Sequence, residues 1–93
     1  MHEMGIAGGV LEAVHQELRR YPASRAAKVG LRIGEYAGID EASLQFCFEA
    51  LVKGTQLEPL KLEIEWCRAE AGHRGDELEF AFLEVDTAQG AAA

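Results

Sequence analysis

The sequence predicts a two-layer α/β sandwich, in which two helices pack on one face of a small three-stranded mixed sheet. Three observations favour this fold class. Apolar residues recur at helical spacing in two segments, and they alternate with polar residues in three others. The five segments follow one another in the order helix, strand, helix, strand, strand. Alternation leaves one face of the sheet solvated, so we expect both helices to cover the other face.

The first predicted helix lies between Met4 and Arg19. Its apolar residues are three or four positions apart and form one stripe: Ile6, Ala7, Val10, Leu11, Val14 and Leu18. The pair Gly8-Gly9 should loosen the first turns, because each glycine costs about 1 kcal/mol relative to alanine in a helix. Basic residues in the last turn and Pro22 just beyond it predict the end of this helix.

The second predicted helix begins after Asp40, whose side chain is a suitable N-cap. The apolar residues expected to be buried along it are Leu44, Cys47, Phe48, Leu51 and Val52. The helix should end at Lys53-Gly54, since a cation suits the last turn and glycine can adopt the left-handed conformation that follows.

The three alternating segments, residues 27–33, 60–66 and 78–85, are predicted strands. A helix lies between the first two, which favours parallel pairing if they are neighbours. The last two strands can pair as an antiparallel hairpin. The apolar phase of the third strand slips at Phe82-Leu83, which predicts a β-bulge there.

Length and charge define the broad class of the protein. The 93 residues predict one domain, at residues 1–86, followed by a flexible tail at 87–93. Sixteen acidic and nine basic residues give a net charge of −7, and such a surface repels nucleic acids. There is neither a signal-like segment nor a stretch long and apolar enough to span a membrane, so we expect a cytoplasmic protein that does not bind membranes.

Enzyme motifs are not found in the sequence. It contains neither a glycine-rich phosphate loop nor a nucleophile elbow, and no His-Glu-x-x-His pair. Acidic residues on the predicted strands alternate outward, as expected of a solvated face. We therefore expect no catalytic activity.

The first three residues, Met1-His2-Glu3, can chelate a metal ion with local atoms. The donors are the Met1 α-amine, the His2 imidazole and one or two deprotonated backbone amides of His2 and Glu3. Four nitrogens near one plane are the arrangement that Ni(II) and Cu(II) prefer. From the Met-His pair alone, an ordinary start residue followed by a surface histidine is the simpler interpretation.

Several blocks of sequence, in order, resemble a known protein family. They are Met1-His2-Glu3-Met4 and residues 29–38, 46–55 and 60–65, with further similarity at 75–85. On these blocks the chain resembles the HypA/HybF family of nickel chaperones, which help to mature [NiFe]-hydrogenase and, in some organisms, urease.

The resemblance implies Ni(II) as the bound ion, with His2 as a ligand and the Met1 amine and the backbone amides of His2 and Glu3 as further donors. Glu35 falls in the Gly-Glu turn of the family, although a solvated loop acid is an equally good interpretation. The resemblance also implies two partners, a GTP-hydrolysing hydrogenase maturation factor and the hydrogenase large subunit. Exposed strand edges would in addition permit a homodimer.

The connection at residues 67–76 departs from the family pattern. Typical members carry there a zinc ribbon with two Cys-x-x-Cys pairs, whereas this segment has Cys67 and His73. Two ligands cannot complete a tetrahedral zinc site, so zinc is not expected. Cys67 and His73 could be a remnant of the first ligand pair, although a polar connection is the simpler interpretation. The alternative function is an adaptor that keeps the partner surface and moves no metal.

Overall fold

Two helices and three strands make up the computed structural model, which describes residues 2–70, 72 and 74–87. Their bounds are Glu3–Leu18 for α1, Ser24–Gly34 for β1, Glu41–Val52 for α2, Lys61–Cys67 for β2 and Leu78–Thr87 for β3. The observed order confirms the predicted α/β class. Neither helix combines the length and the hydropathy that a membrane crossing needs.

The central strand of the sheet is β1, since the strand order is β2-β1-β3. Parallel pairing joins β1 to β2, with Val29 opposite Leu62. Antiparallel pairing joins β1 to β3, so the predicted hairpin between β2 and β3 is wrong. Hairpin loops are usually two to five residues long. The ten residues between Cys67 and Leu78 are enough to carry the chain across the end of β1 to its other edge.

One apolar cluster joins both helices to the inner face of the sheet. Val29, Leu31 and Ile33 on β1 are at most 2% exposed. The other members of the cluster are Ala7, Val10, Leu11 and Val14 from α1, Leu44, Phe48 and Val52 from α2, and Leu57, Leu60 and Leu62. Both helices therefore cover the same face of the sheet, as predicted.

Two details of the helices differ from expectation. The first turns of α1 are regular helix from Glu3 onward, despite Gly8-Gly9. Both glycines lie on the exposed side, where a Cβ atom would have no neighbour within 4 Å. On α2, Leu51 is 37% exposed instead of buried. The predicted cap is confirmed, because the Asp40 side chain accepts a hydrogen bond from the Ser43 amide at 3.2 Å.

A β-bulge divides β3, one residue before the predicted position. Gly30 lies opposite Phe82 and Leu31 opposite Phe80, so Ala81 has no partner of its own on β1. The extra residue restores the inward orientation of the apolar residues on both sides of the bulge. Phe82 consequently lies on the outer face of the sheet, directly over Gly30.

Candidate metal centre

The proposed nickel motif lies at the start of α1. His2 is the N-cap residue, and its carbonyl accepts a hydrogen bond from the Ile6 amide at 3.1 Å. The first amides of a helix have no carbonyl partner within the helix, and those of His2 and Glu3 belong to this group. The His2 side chain is exposed and makes no capping hydrogen bond. Met1 lies outside the described residues.

The Glu3 carboxylate ties the start of α1 to the start of α2. Its Oε2 atom accepts a hydrogen bond from the Asp40 backbone amide at 3.1 Å. This bond, with a smaller contribution from the backbone amide of Glu3 itself, holds the pKa of Glu3 below its ordinary value. The Glu3 side chain therefore has a structural role beside the motif, while its backbone nitrogen belongs to the proposed chelate.

Glu35 contacts the connection between β2 and β3. Its backbone amide donates to the Cys67 carbonyl at 2.8 Å, and its carboxylate accepts a hydrogen bond from the Ala69 amide. Nearby, the Tyr36 amide donates to the Gly75 carbonyl at 2.6 Å. The turn after β1 thus holds both ends of the connection between β2 and β3. The Glu35 carboxylate contributes to this by accepting the hydrogen bond from Ala69.

Cys67 lies at the end of β2, and its side chain is partly buried. Partial burial raises the pKa of its thiol, and the neighbouring carboxylate of Glu65 raises it further, against the opposing effect of Arg32. The thiolate is the form that binds metals. His73, the other accessory residue, lies outside the described residues.

Side chains alone do not form a metal site in the part of the chain that the structure describes. Within residues 2–70, 72 and 74–87, no group of three His, Cys, Asp or Glu side chains is placed to hold an ion. The structure brings Glu35 and Cys67 together, but through backbone hydrogen bonds. The proposed chelate at Met1-His2-Glu3 differs from such a group because most of its donors are backbone nitrogens.

Comparison with known proteins decides the family. The family model described as "Hydrogenase/urease nickel incorporation, metallochaperone, hypA" matches residues 1–87. The chain belongs to the HypA family. Among its relatives is the hydrogenase maturation factor HypA of Methanopyrus kandleri, 44% identical over 79 residues, which are 80% of this chain and 56% of the relative.

Two other HypA relatives agree with this assignment. The hydrogenase maturation factor HypA of Chlorobium limicola is 45% identical over 71 residues, 76% of this chain and 61% of the relative. That of Polaromonas naphthalenivorans is 37% identical over 75 residues, 74% of this chain and 65% of the relative. The chain thus spans about three-fifths of the length of the curated HypA proteins that it matches.

One contact at the HypA motif was missed by sequence reasoning. The hydrogen bond between Glu3 and the backbone of Asp40 joins residues 37 positions apart. The sequence predicts Asp40 as a helix cap and Glu3 as a backbone donor of the metal motif. The sequence carries no periodicity that relates the two positions, so it gave no signal for their contact.

Proposed function

We propose that this HypA chain binds one Ni(II) ion at its amino terminus and hands it to a metalloenzyme under assembly. The ligands are the Met1 amine, the His2 imidazole and the backbone amides of His2 and Glu3. The position of His2 and Glu3 at the start of α1 carries the proposal. Loss of their amide protons breaks no hydrogen bond of the helix, because these amides have no carbonyl partner there.

The recipient is [NiFe]-hydrogenase or, in organisms that contain it, urease. Binding is stoichiometric and involves no turnover, so the chain acts as a carrier and not as an enzyme. Its partners are a GTP-hydrolysing maturation factor and the hydrogenase large subunit, in the cytoplasm. Zinc is not required, because hydrogen bonds from the turn at Glu35 and Tyr36 hold the connection between β2 and β3.

Nickel binding must displace protons from the amine, the imidazole and the amides. Acidification therefore weakens binding, and a rise in pH strengthens it. This dependence suits a carrier, since release requires only that protons or competing ligands replace the donors. Calorimetry in two buffers of different ionisation enthalpy would count the protons released for each nickel ion bound.

Calorimetric titration of the untagged protein with Ni(II) at neutral pH tests the proposal. We expect one ion per chain, and loss of this binding in His2→Ala, because the imidazole supplies one of four donors. His15→Ala is the matched control, since His15 is an exposed histidine on the same helix. This control should bind nickel as the unchanged protein does.

Two outcomes would contradict the carrier function. One is weak nickel binding that His2→Ala leaves unchanged, which would instead favour an adaptor that moves no metal. The other is equal loss of binding in His2→Ala and His15→Ala, which would indicate a site elsewhere on the helix.

A further inference from the structure

Strand β3 forms an open edge of the sheet. The order β2-β1-β3 leaves two edges, and at the β2 edge the Gln45 side chain of α2 donates a hydrogen bond to the Leu62 carbonyl at 2.9 Å. In the described part of the chain, the backbone of β3, Leu78–Thr87, pairs with β1 and with no other segment. The side of β3 that faces away from β1 therefore offers a row of unpaired N–H and C=O groups.

Exposed apolar side chains flank this edge on both faces of the sheet. Leu78 and Phe80 line the helix side and are 45% and 39% exposed. Phe82 lies on the outer face over Gly30 and is 41% exposed. A docked helix would cover one of these faces and leave the backbone groups unpaired. An added strand pairs with the backbone and places side chains on both faces, because successive residues of a strand alternate.

The charges on the outer face indicate which side chains that strand carries. Three cations of β1 lie directly opposite three acids of β3: Arg32 with Glu79, Lys28 with Glu84 and Arg25 with Asp86. On the other side of β1, Glu65 pairs with Arg32 at 3.0 Å and Glu63 with Lys28 at 3.1 Å. Two of the cations thus lie between an acid of β2 and an acid of β3. The acids of β3 have cations on the β1 side only, so a strand at the open edge continues the alternation of charge if it carries lysine or arginine there.

We propose that the open edge of β3 pairs with an extended basic segment of a partner protein, which adds a fourth strand to the sheet. In that segment lysine or arginine alternates with apolar residues. The basic side chains lie on the outer face, opposite Glu79, Glu84 and Asp86. The apolar side chains cover Leu78 and Phe80 on the helix side. This docking needs no nickel, so it does not rest on the proposed function.

A second copy of β3 is a poor occupant of the same edge. Glu79, Phe82 and Glu84 take successive positions on the outer face, because their partners on β1 are two residues apart. Antiparallel pairing of two copies with Phe82 opposite Phe82 would therefore place each Glu79 opposite a Glu84. Pairing centred on Glu84 would bring the two Glu84 side chains together. Like charges directly opposite each other destabilise a sheet, whereas a basic strand avoids this repulsion.

Three labelled peptides of ten residues, the length of β3, provide the probe. Each alternates lysine with valine. One is unmodified, one is N-methylated at two central lysine amides, and one at two central valine amides. These two sets of amides point to opposite edges of an extended peptide, so only one set faces β3. Fluorescence anisotropy at 0.15 M salt, on metal-free protein, measures the affinities. We expect one methylated peptide to bind as the unmodified peptide does, and the other at least about tenfold more weakly.

Two charge reversals locate the docked strand. Glu84→Lys places a cation at the proposed edge, and Glu63→Lys is the matched control on β2. Both carboxylates pair with Lys28, and both side chains are 56% exposed, so the two variants change net charge and ion pairing equally. Glu84→Lys should weaken binding of the unmodified peptide about tenfold, and Glu63→Lys should leave it nearly unchanged. Circular dichroism and urea unfolding confirm that each variant is folded.

Four results would overturn the proposal. The unmodified peptide does not bind, or both charge reversals weaken its binding equally, as expected if binding follows net charge. The two methylated peptides bind equally, which excludes pairing through one edge of the peptide. Sedimentation velocity shows a dimer of the unchanged protein that the unmodified peptide dissociates, since the edge would then hold a second copy. His2→Ala should bind the peptide normally, which separates a failure of docking from a failure of nickel binding.

Discussion

Glu3 takes part both in the proposed metal motif and in the packing of the two helices. Its backbone nitrogen belongs to the proposed chelate, while its carboxylate accepts the Asp40 amide and joins the two helix starts. The pKa of Glu3 is lower in the folded chain, so the charged form stabilises the native state. That contribution is present above the ordinary value of 4.5 and is lost as the pH falls through the lower, folded pKa.

Glu3→Gln should therefore lower the free energy of unfolding at pH 7, because an amide accepts the Asp40 hydrogen bond more weakly than a carboxylate does. The difference from the unchanged protein should shrink as the pH falls below 4.5, where both side chains become neutral. Urea unfolding at pH 7 and at acidic pH measures it. Glu12→Gln, an exposed acid on the same helix, is the control. A difference that does not change with pH would contradict the role of the Glu3 charge.

Two glycines should respond to alanine in opposite directions. At Gly34, a Cβ atom would lie 2.3 Å from the Gly75 carbonyl carbon and oxygen, so Gly34→Ala should destabilise the fold by about 1–3 kcal/mol. At Gly8, a Cβ atom would meet nothing within 4 Å, so Gly8→Ala should stabilise α1 by about 0.5–1 kcal/mol. Urea unfolding of both variants provides the measurement. Equal effects would contradict the close packing of the connection on the turn after β1.

At the scale of the elements, the pairing of β1 with β3 depends on the fit of an aromatic ring over a glycine as well as on hydrogen bonds. The Phe82 ring covers Gly30, and a Cβ atom at Gly30 would lie only 2.0 Å from the ring. Lys28 and Arg32 flank Gly30 on the outer face and form ion pairs with carboxylates of β2 and β3. These pairs are exposed and contribute little, so the contact between Phe82 and Gly30 is the more specific link.

A double-mutant cycle tests that link. Gly30→Ala should destabilise the unchanged protein by about 1–3 kcal/mol, because the methyl group displaces the Phe82 ring. In a Phe82→Ala background the same substitution should be neutral or stabilising, since alanine loses less backbone entropy than glycine in a strand. Urea unfolding of the four proteins gives the coupling energy. Equal costs of Gly30→Ala in both backgrounds would show that the ring does not cover the glycine.

For the whole molecule, local patterns in the sequence were sufficient to predict the elements but not the strand order. The cap at Asp40 and the left-handed Gly54 that follows α2 depend on neighbouring residues, and both were predicted. The position of β3 beside β1 depends on which edge of the sheet the chain reaches after it leaves β2. That choice involves backbone contacts such as Tyr36 with Gly75, which no periodicity reveals.

The candidate site was likewise predictable from the sequence only in part. The motif at His2 is recognisable because its donors are consecutive in the sequence. The tie between Glu3 and Asp40 joins two helices and became evident only from their packing. Glu35 also needed the structure, because its carboxylate contacts Ala69, 34 residues away. Contacts between residues distant in sequence are determined by the tertiary fold, and the pattern of a single sequence does not contain them.

The most direct test of the central claim is nickel X-ray absorption spectroscopy on two forms of the protein. One form begins at Met1 with an unblocked amine, and in the other the Met1 amine is acetylated, which converts it into an amide. We predict a tetragonal four-nitrogen environment in the first form and its loss in the second. The same spectrum in both forms, or six oxygen-rich ligands in the first, would contradict nickel binding by the amino terminus.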